Sequence, residues 1–242
     1  MISKEYYETY WSEGGHCPIG VLSEDLRRVF ELHVRRDSVC LDVGCGDGRT
    51  AGVWLSEHAK SYTGVDVSSG AVGMARSLGL DAICIDDAAD LPFTDASFDV
   101  VVCLEVLEHL FDPQAAALEI ARVLRPGGTL LATVPNISHW KQRVDLAIRG
   151  RWDPRGDALS HAKPWRDPHI RFFTPRSLAS MLAQSGFDHV SVAGRQGSIA
   201  RNFRHLERFA RSETGPLGCW LVERIPALGG GLLAVAPRSL AD

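Results

Sequence analysis

The chain has 242 residues, a globular composition and a formal net charge of −4 at pH 7. Its length can bury a core in one domain, and the sequence holds no run of about 18 apolar residues that would predict a membrane span. The first six residues lack the apolar centre of a signal peptide, and the six cysteines show neither disulfide nor zinc-ligand spacing. We therefore expect a cytoplasmic protein, and the sequence assigns no metal.

Predicted strands and helices alternate along the first 135 residues. A stretch with apolar residues at helical spacing comes first, at 21–34. Strands are then predicted at 38–42, 62–66, 82–85, 99–104 and 129–134, with helices at 48–58, 69–78 and 113–124. This order predicts an α/β fold with a doubly wound, mostly parallel sheet and helices on both faces.

The pattern changes after residue 136. A helix is predicted at 138–149, and residues 150–170 have the composition of an irregular loop or lid. Thr174 and Pro175 predict a helix start, and Gly186 predicts its end. Strands near 188–193 and 231–236 are predicted to close the sheet as a hairpin-like pair. Between them, an inserted helix is predicted near 201–211, with its arginines at helical spacing.

A glycine-rich turn follows the first predicted strand. Its glycines are Gly44, Gly46 and Gly48. They allow a tight turn and a close approach of a ligand to the backbone. Asp42 and Asp47 bracket them, and carboxylates there would repel the pyrophosphate of a dinucleotide. Arg49 stands where the dinucleotide fingerprint has its third glycine. The turn therefore favours a positively charged nucleoside and argues against a nicotinamide cofactor.

Acidic residues also follow the second and third predicted strands. Asp66 lies about twenty residues beyond the glycines, where a carboxylate can accept hydrogen bonds from both ribose hydroxyls. Asp87 can accept a hydrogen bond from an exocyclic adenine amine, with the backbone N–H of Ala88 facing the ring. Carboxyl ends of parallel strands share one edge of a sheet, so these groups predict a single nucleoside site.

These motifs resemble the class I S-adenosylmethionine-dependent methyltransferases. The matching segments are 41–48, 64–66, 87–93, 98–109 and 122–128. The resemblance implies a Rossmann-like methyltransferase fold with seven strands, the last of them antiparallel. It also implies S-adenosyl-L-methionine as cofactor and S-adenosyl-L-homocysteine as product.

The resemblance assigns cofactor contacts to particular residues. The implied set is Trp11, Asp42, Gly44, Cys45, Gly46, Asp66, Val67, Asp87, Ala88 and Leu104. Residues of the glycine turn would lie beside the methionine part, with ribose and adenine at the ends of the next two strands. Trp11 belongs to an aromatic segment that resembles the N-terminal cover of small-molecule members. A helix packed on the sheet is the alternative for that segment.

We expect one methyltransferase domain over 1–242. Within it, residues 1–37 would lie over the cofactor, residues 38–135 would form the cofactor-binding core, and residues 136–173 and 195–228 would form acceptor-side insertions or a lid. The second half resembles methionine-biosynthesis methyltransferase-like proteins and methyltransferases of bacterial glycan and natural-product clusters. That resemblance names no substrate.

Charge points to the nature of the acceptor. Residues 1–135 hold 10 Lys and Arg against 21 Asp and Glu, whereas residues 136–212 hold 14 against 6. The basic half favours an anionic or phosphate-bearing acceptor, with a solvated surface as the alternative. Nucleic acid is not expected, since no basic tract is interleaved with aromatic residues. A homodimer is left open.

A hydroxyl is a poor nucleophile, so a base near the methyl group is expected, and histidine suits neutral pH. His139 and His109 are the candidates, with His139 ahead. A structural histidine is the alternative for each. Several aspartates follow residue 140, but their spacing matches no calcium loop or zinc motif.

The leading hypothesis is therefore an O-methyltransferase of a sugar, glycan or natural product. Two alternatives remain: methyl transfer to nitrogen or carbon, and a non-catalytic partner protein that retains cofactor binding.

Overall fold

The computed structural model describes residues 2–12, 22–151, 168–195, 225–226 and 229–240. Most of the predicted lid at 150–170 and all of the basic helix predicted at 201–211 lie outside these residues. The same holds for nearly all of the insertion expected at 195–228.

Seven helices, one 3-10 turn and seven strands make up the described part of the chain. The helices are α1 (Ile2–Ser12), α2 (Glu24–His33), α3 (Gly52–His58), α4 (Ser69–Ser77), α5 (Pro113–Val123), α6 (Trp140–Arg149) and α7 (Pro175–Ala183). The strands are β1 (Val39–Val43), β2 (Ser61–Asp66), β3 (Ala82–Cys84), β4 (Phe98–Leu104), β5 (Leu124–Pro135), β6 (Ser191–Arg195) and β7 (Gly231–Pro237). A 3-10 turn, Leu107–His109, follows β4.

The strands form one sheet in the order β3-β2-β1-β4-β5-β7-β6. Strands β1 to β5 are parallel, and β7 runs antiparallel to both β5 and β6. The predicted doubly wound sheet, its antiparallel last strand and the hairpin-like pairing of the final two strands are all confirmed. The order reverses between β1 and β4, and ligands of such sheets bind in the crevice at that point.

Two apolar clusters cover the two faces of the sheet. Six of the seven residues of β4 are apolar, and the strand is buried almost throughout, as expected for a parallel strand covered on both sides. Leu41 and Val101 belong to one cluster, and their neighbours Cys40 and Val102 belong to the other. The alternation of side chains along each strand therefore fills both layers and fixes the register of the central strands.

Most element boundaries shift by three residues or fewer from the predicted ones, and two shift by four or five. Helix α3 begins at Gly52, not at 48, because Gly48 has a φ of +78° and cannot continue into a right-handed helix. Strand β5 begins at Leu124, which pairs with Phe98 before the register shifts. Residues 125–128, with Pro126 and two glycines, are therefore an irregularity at the start of a long strand.

The predicted start of α7 is confirmed, and the side-chain cap that fixes it is visible in the structure. The Thr174 side chain accepts from the backbone N–H of Ser177, and Pro175 occupies the first turn. Gly186, at a φ of +88°, lies just beyond the helix end. Among the described helices, none is long and apolar enough to cross a membrane.

Candidate active site

The glycine turn after β1 is held against β2 by its backbone. The N–H groups of Gly44 and Cys45 both donate to the carbonyl oxygen of Val65, at 2.8 and 3.0 Å. Gly44 has a φ of +74°, and a Cβ there would lie 2.3 Å from Cγ2 of Val106. The turn therefore requires glycine for both conformation and space, and it brings the segment after β4 directly beside it.

Asp66, the last residue of β2, fixes the far side of this turn. Its two carboxylate oxygens accept from the N–H groups of Gly46 and Ser68, both at 2.9 Å. Burial raises the pKa of Asp66, while these backbone donors oppose the increase. Ser68 caps α4 with its own hydroxyl. Each oxygen of the Asp66 carboxylate can accept more than one hydrogen bond.

Asp42 lies beneath the turn and is 3% exposed. The hydroxyl of Tyr62 donates to its Oδ2 at 3.2 Å. Burial raises the pKa of Asp42 to about 7; the Tyr62 hydrogen bond opposes this and the nearby Asp66 charge adds to it. Cys45 is also buried, and burial raises the pKa of its thiol. Asp42 is therefore a buried carboxyl group that titrates close to neutral pH.

The other predicted cofactor residues lie along the same edge of the sheet. Asp87 is exposed after β3 and accepts from the N–H of Ala89 at 2.9 Å. Ala88 beside it is buried, Val67 directly follows β2, and Leu104 ends β4 with 9% exposure. The structure thus brings the ends of four parallel strands together around one crevice.

Helix α1 lies over the glycine turn. The indole of Trp11 is 6% exposed, and its Cζ2 would lie 3.0 Å from a Cβ at Gly46. Glu8, one turn earlier, accepts from the backbone N–H of Ser69 at 2.7 Å and from the Ser68 hydroxyl at 3.1 Å. Its carboxylate therefore lies at the N-terminus of α4, where negative charge is favoured.

The third contact of α1 reaches the segment after β4. The Tyr7 ring meets the His109 ring edge-to-face, with centroids 5.7 Å apart. The Tyr7 hydroxyl is buried and has no hydrogen-bond partner among the described residues. Burial, together with the negative charge of Glu108, raises the pKa of Tyr7. An aromatic ring of the covering helix therefore lies against a group of histidines.

Glu108, His109 and His169 form that group. Oε1 of Glu108 lies 3.8 Å from Nε2 of each histidine, and the two imidazole centroids are 4.7 Å apart. Glu108 is 1% exposed. Burial raises its pKa well above the ordinary value, and the neighbouring Glu105 carboxyl adds to the increase.

His139 occupies a different place. It is 5% exposed, directly precedes α6, and its ring centroid lies 6.1 Å from that of Trp140. A small open pocket lies near the end of β5. Its lining residues are Pro135, Ile137, Gln142, His169, Arg171 and Phe172. His169 thus belongs both to this pocket and to the histidine group, which connects the pocket to the end of β4.

Sequence reasoning missed the parts played by Glu8 and Glu108. Glu8 caps a helix that begins 61 residues further on, and no local pattern predicts such a contact. Glu108 offered a weak signal, because it is an acid next to His109 directly after a buried strand. The proximity of His169 depends on the course of the chain after β5.

Comparison with known proteins gives the family. Residues 41–132 match the Methyltransferase domain family. The O-methyltransferase resE of Aspergillus sclerotiorum is 31% identical over 195 residues, which are 76% of this chain and 67% of that protein. The chain belongs to the class I S-adenosylmethionine-dependent methyltransferases.

This methyltransferase is also similar to a bacterial protein. The ubiquinone biosynthesis O-methyltransferase of Idiomarina loihiensis is 32% identical over 166 residues, 64% of this chain and 63% of the relative. The match therefore spans less than two thirds of the relative's length. Among solved structures, the cyclase SpnF has a TM-score of 0.65 at 22% identity and covers 99% of this chain and 97% of its own. That likeness shows the fold alone, and a shared fold does not assign a reaction.

The crevice of this methyltransferase fits the cofactor of its family. Gly44 and Gly46 carry no side chain that would fill the space beside the turn, and the acids at the ends of the next two strands can accept hydroxyl and amine hydrogens. S-adenosyl-L-methionine carries a positive sulfur, and the carboxyl of Asp42 lies beneath the turn. S-adenosyl-L-homocysteine is the corresponding product.

Proposed function

We propose that this protein transfers a methyl group from S-adenosyl-L-methionine to a hydroxyl group of a small molecule. One observation carries the proposal: the glycine turn braced by Asp66 adjoins, through Val106, the segment that holds Glu108 and His109. The groups that suit the donor and a group able to take a proton therefore lie at one edge of the sheet.

Oxygen is favoured over nitrogen or carbon as the acceptor atom by the relatives. Both curated relatives described above are named O-methyltransferases. We propose a sugar, glycan or other hydroxylated natural product, preferably an anionic one. The basic composition of residues 136–212 and the position of Arg171 at the pocket support an anionic acceptor.

The cofactor supplies, when bound, a sulfonium methyl group that an acceptor oxygen takes as it loses its proton, leaving S-adenosyl-L-homocysteine. The chain's own residues must hold both partners in line, which can provide much of the acceleration. Asp66 and Asp87 would orient the nucleoside, and α1 with Trp11 would exclude water from the crevice.

We propose His109 as the group nearest the reaction, ahead of His139. His109 is 17% exposed at its side chain and contacts Tyr7 of the covering helix. His139, which the sequence favoured, is almost fully buried at the start of α6. A base must reach the hydroxyl directly, and a partly exposed imidazole at the crevice suits that role better.

The test is a panel of phenols, sugars and sugar phosphates incubated with the protein and S-adenosyl-L-methionine. We expect formation of S-adenosyl-L-homocysteine with at least one hydroxylated acceptor. His109→Ala should lower turnover at saturating acceptor by about 100-fold or more, and His139→Ala should lower it much less. Equal turnover of both variants and the unmodified protein would reject a histidine base.

Calorimetry with S-adenosyl-L-homocysteine, combined with the turnover assay, distinguishes an enzyme from a non-catalytic partner protein. Binding of S-adenosyl-L-homocysteine without turnover of any acceptor would favour a non-catalytic partner protein. Product methylated on nitrogen or carbon, identified by mass spectrometry, would contradict the assignment to oxygen.

A further inference from the structure

The group formed by Glu108, His109 and His169 has the composition of a metal site. One carboxylate oxygen and one nitrogen of each imidazole lie within 4.8 Å of one another. Imidazole and carboxylate together suit divalent first-row transition metals.

The carboxylate of Glu108 is the strongest indication. It is 1% exposed, and among the described residues neither of its oxygens has a hydrogen-bond partner. Burying a carboxylate without donors costs several kcal/mol unless a cation or a proton compensates its charge. Glu105 is itself acidic and brings no positive charge, so the compensating charge must be a cation or a proton that the two carboxyl groups share.

His109 is oriented as metal-binding histidines are. Its Nδ1 lies 3.1 Å from the carbonyl oxygen of Pro168. A carbonyl can only accept, so Nδ1 carries the proton and the lone pair of a neutral ring is on Nε2, the atom that faces Glu108. A second nitrogen bonded to a backbone carbonyl is the usual support of a metal-binding imidazole.

The distances match such a site. Metal–ligand bonds of about 2.0–2.2 Å place neighbouring ligand atoms roughly 3–4 Å apart. Both histidine nitrogens lie 3.8 Å from Oε1 of Glu108. We propose that Glu108, His109 and His169 bind one divalent first-row transition-metal ion, such as Zn²⁺.

The role of this ion rests on the proposed function. Three protein ligands leave an open position, and His169 also lines the pocket near β5. An acceptor hydroxyl bound there would have a lowered pKa, so its proton can pass to solvent water. The oxygen lone pair then forms the bond to the methyl carbon, and the carbon–sulfur bond breaks with its electrons on sulfur. His109 is in that case a ligand and not the base.

Metal binding can be measured without turnover. The full chain is stripped with a chelator and titrated with ZnCl₂ by calorimetry, and with CoCl₂ by visible absorption, whose intensity reports coordination number. We expect one equivalent of either ion and a cobalt spectrum typical of four or five ligands. Absence of stoichiometric binding, or a six-coordinate aqua-like spectrum, would overturn the proposal.

Two substitutions and one control locate the site. His169→Ala and Glu108→Gln should each weaken Zn²⁺ binding by more than about 100-fold. His58→Ala is the matched control, because His58 stacks on Trp54 of α3 with ring centroids 4.1 Å apart and belongs to another face. Unchanged affinity in both site variants would contradict the assignment. If circular dichroism shows that a variant is unfolded, the cobalt spectrum of the unmodified chain decides whether the metal site exists.

The same preparation separates this inference from the proposed function. If the stripped chain binds S-adenosyl-L-homocysteine and turns over an acceptor without added metal, the role of the ion in methyl transfer is refuted and the methyltransferase proposal stands. If the chain binds one Zn²⁺ but methylates no acceptor, the site stands and the proposed function fails.

Discussion

At the scale of single residues, the buried acids around the glycine turn set much of the behaviour of this protein. Asp42 is buried in β1 with one donor, Tyr62, and its pKa is raised to about 7. Between the ordinary pKa of an aspartate and about pH 7, Asp42 is therefore neutral in the folded state although it is ionised in the unfolded chain. The sequence identified this acid, but only the packing around it shows that it titrates near neutral pH.

Asp42→Asn should change the pH dependence of stability. Between about pH 4 and pH 7 the folded state holds a proton that the unfolded state has lost, so Asp42 makes unfolding easier as pH rises. Asparagine does not titrate. Between pH 4 and pH 8 the free energy of unfolding of the variant should therefore rise relative to that of the unmodified protein, by at most about 4 kcal/mol. Urea unfolding at both pH values measures this, and parallel pH profiles would show that Asp42 is ionised throughout.

Gly44→Ala tests the space beside the turn. The φ of +74° and a Cβ only 2.3 Å from Val106 should together lower the free energy of unfolding by about 2 kcal/mol or more. Gly73→Ala in α4 is the control, because a Cβ there meets nothing within 4 Å. That change should stabilise by up to about 1 kcal/mol. Chemical unfolding measures the free energy of unfolding of both variants. An unchanged value for Gly44→Ala would contradict the expected clash between the new Cβ and Val106.

At the scale of elements, α1 is held to the rest of the protein mainly at its polar and aromatic contacts. Glu8 bonds to the N-terminus of α4, Trp11 covers Gly46 and Tyr7 meets His109. The sequence suggested a cover over the cofactor or a helix packed on the sheet. The structure places α1 over the turn itself, because Glu8 accepts from the N–H groups of Ser69 and Gly70, which have no partner within the first turn of α4.

Glu8→Gln should loosen α1. Hydrogen bonds from the Ser69 backbone lower the pKa of Glu8, although its burial opposes this. A lowered pKa means that the contact is present above the ordinary value of 4.5 and is lost as pH falls below it. At pH 7 the variant should exchange the amide hydrogens of residues 2–12 several-fold faster. Glu5→Gln on the exposed side of the same helix is the control, and equal exchange in both would contradict the docking role.

At the scale of the whole molecule, Arg195 joins parts of the chain that are far apart. It ends β6, is 8% exposed, and donates to Asp25 at 3.0 Å and to Ser23 at 3.1 Å. Its Nη1 also lies 3.8 Å from Glu105, which follows β4. A single buried guanidinium thus connects the antiparallel edge of the sheet, the start of α2 and the segment that leads to Glu108.

Arg195→Ala should lower the free energy of unfolding by about 2–3 kcal/mol, because it leaves Asp25 and Glu105 facing each other without a cation. Arg28→Ala removes an exposed pair with Glu24 at 3.4 Å and should cost no more than about 0.5 kcal/mol. Urea unfolding at pH 7 distinguishes the two. Equal decreases in the free energy of unfolding would mean that the buried contacts of Arg195 stabilise the protein no more than an exposed ion pair does.

The order of strands and helices, the glycine turn and the acids near the ends of the first three strands could be predicted from the sequence alone. These features depend on local periodicity and on the conformational freedom of glycine, which act over a few residues. The pairs Glu108–His169, Glu8–Ser69 and Asp25–Arg195 are separated by 61, 61 and 170 positions in the chain. These contacts could be seen only in the folded chain, because they depend on which strand ends the sheet topology brings to one edge.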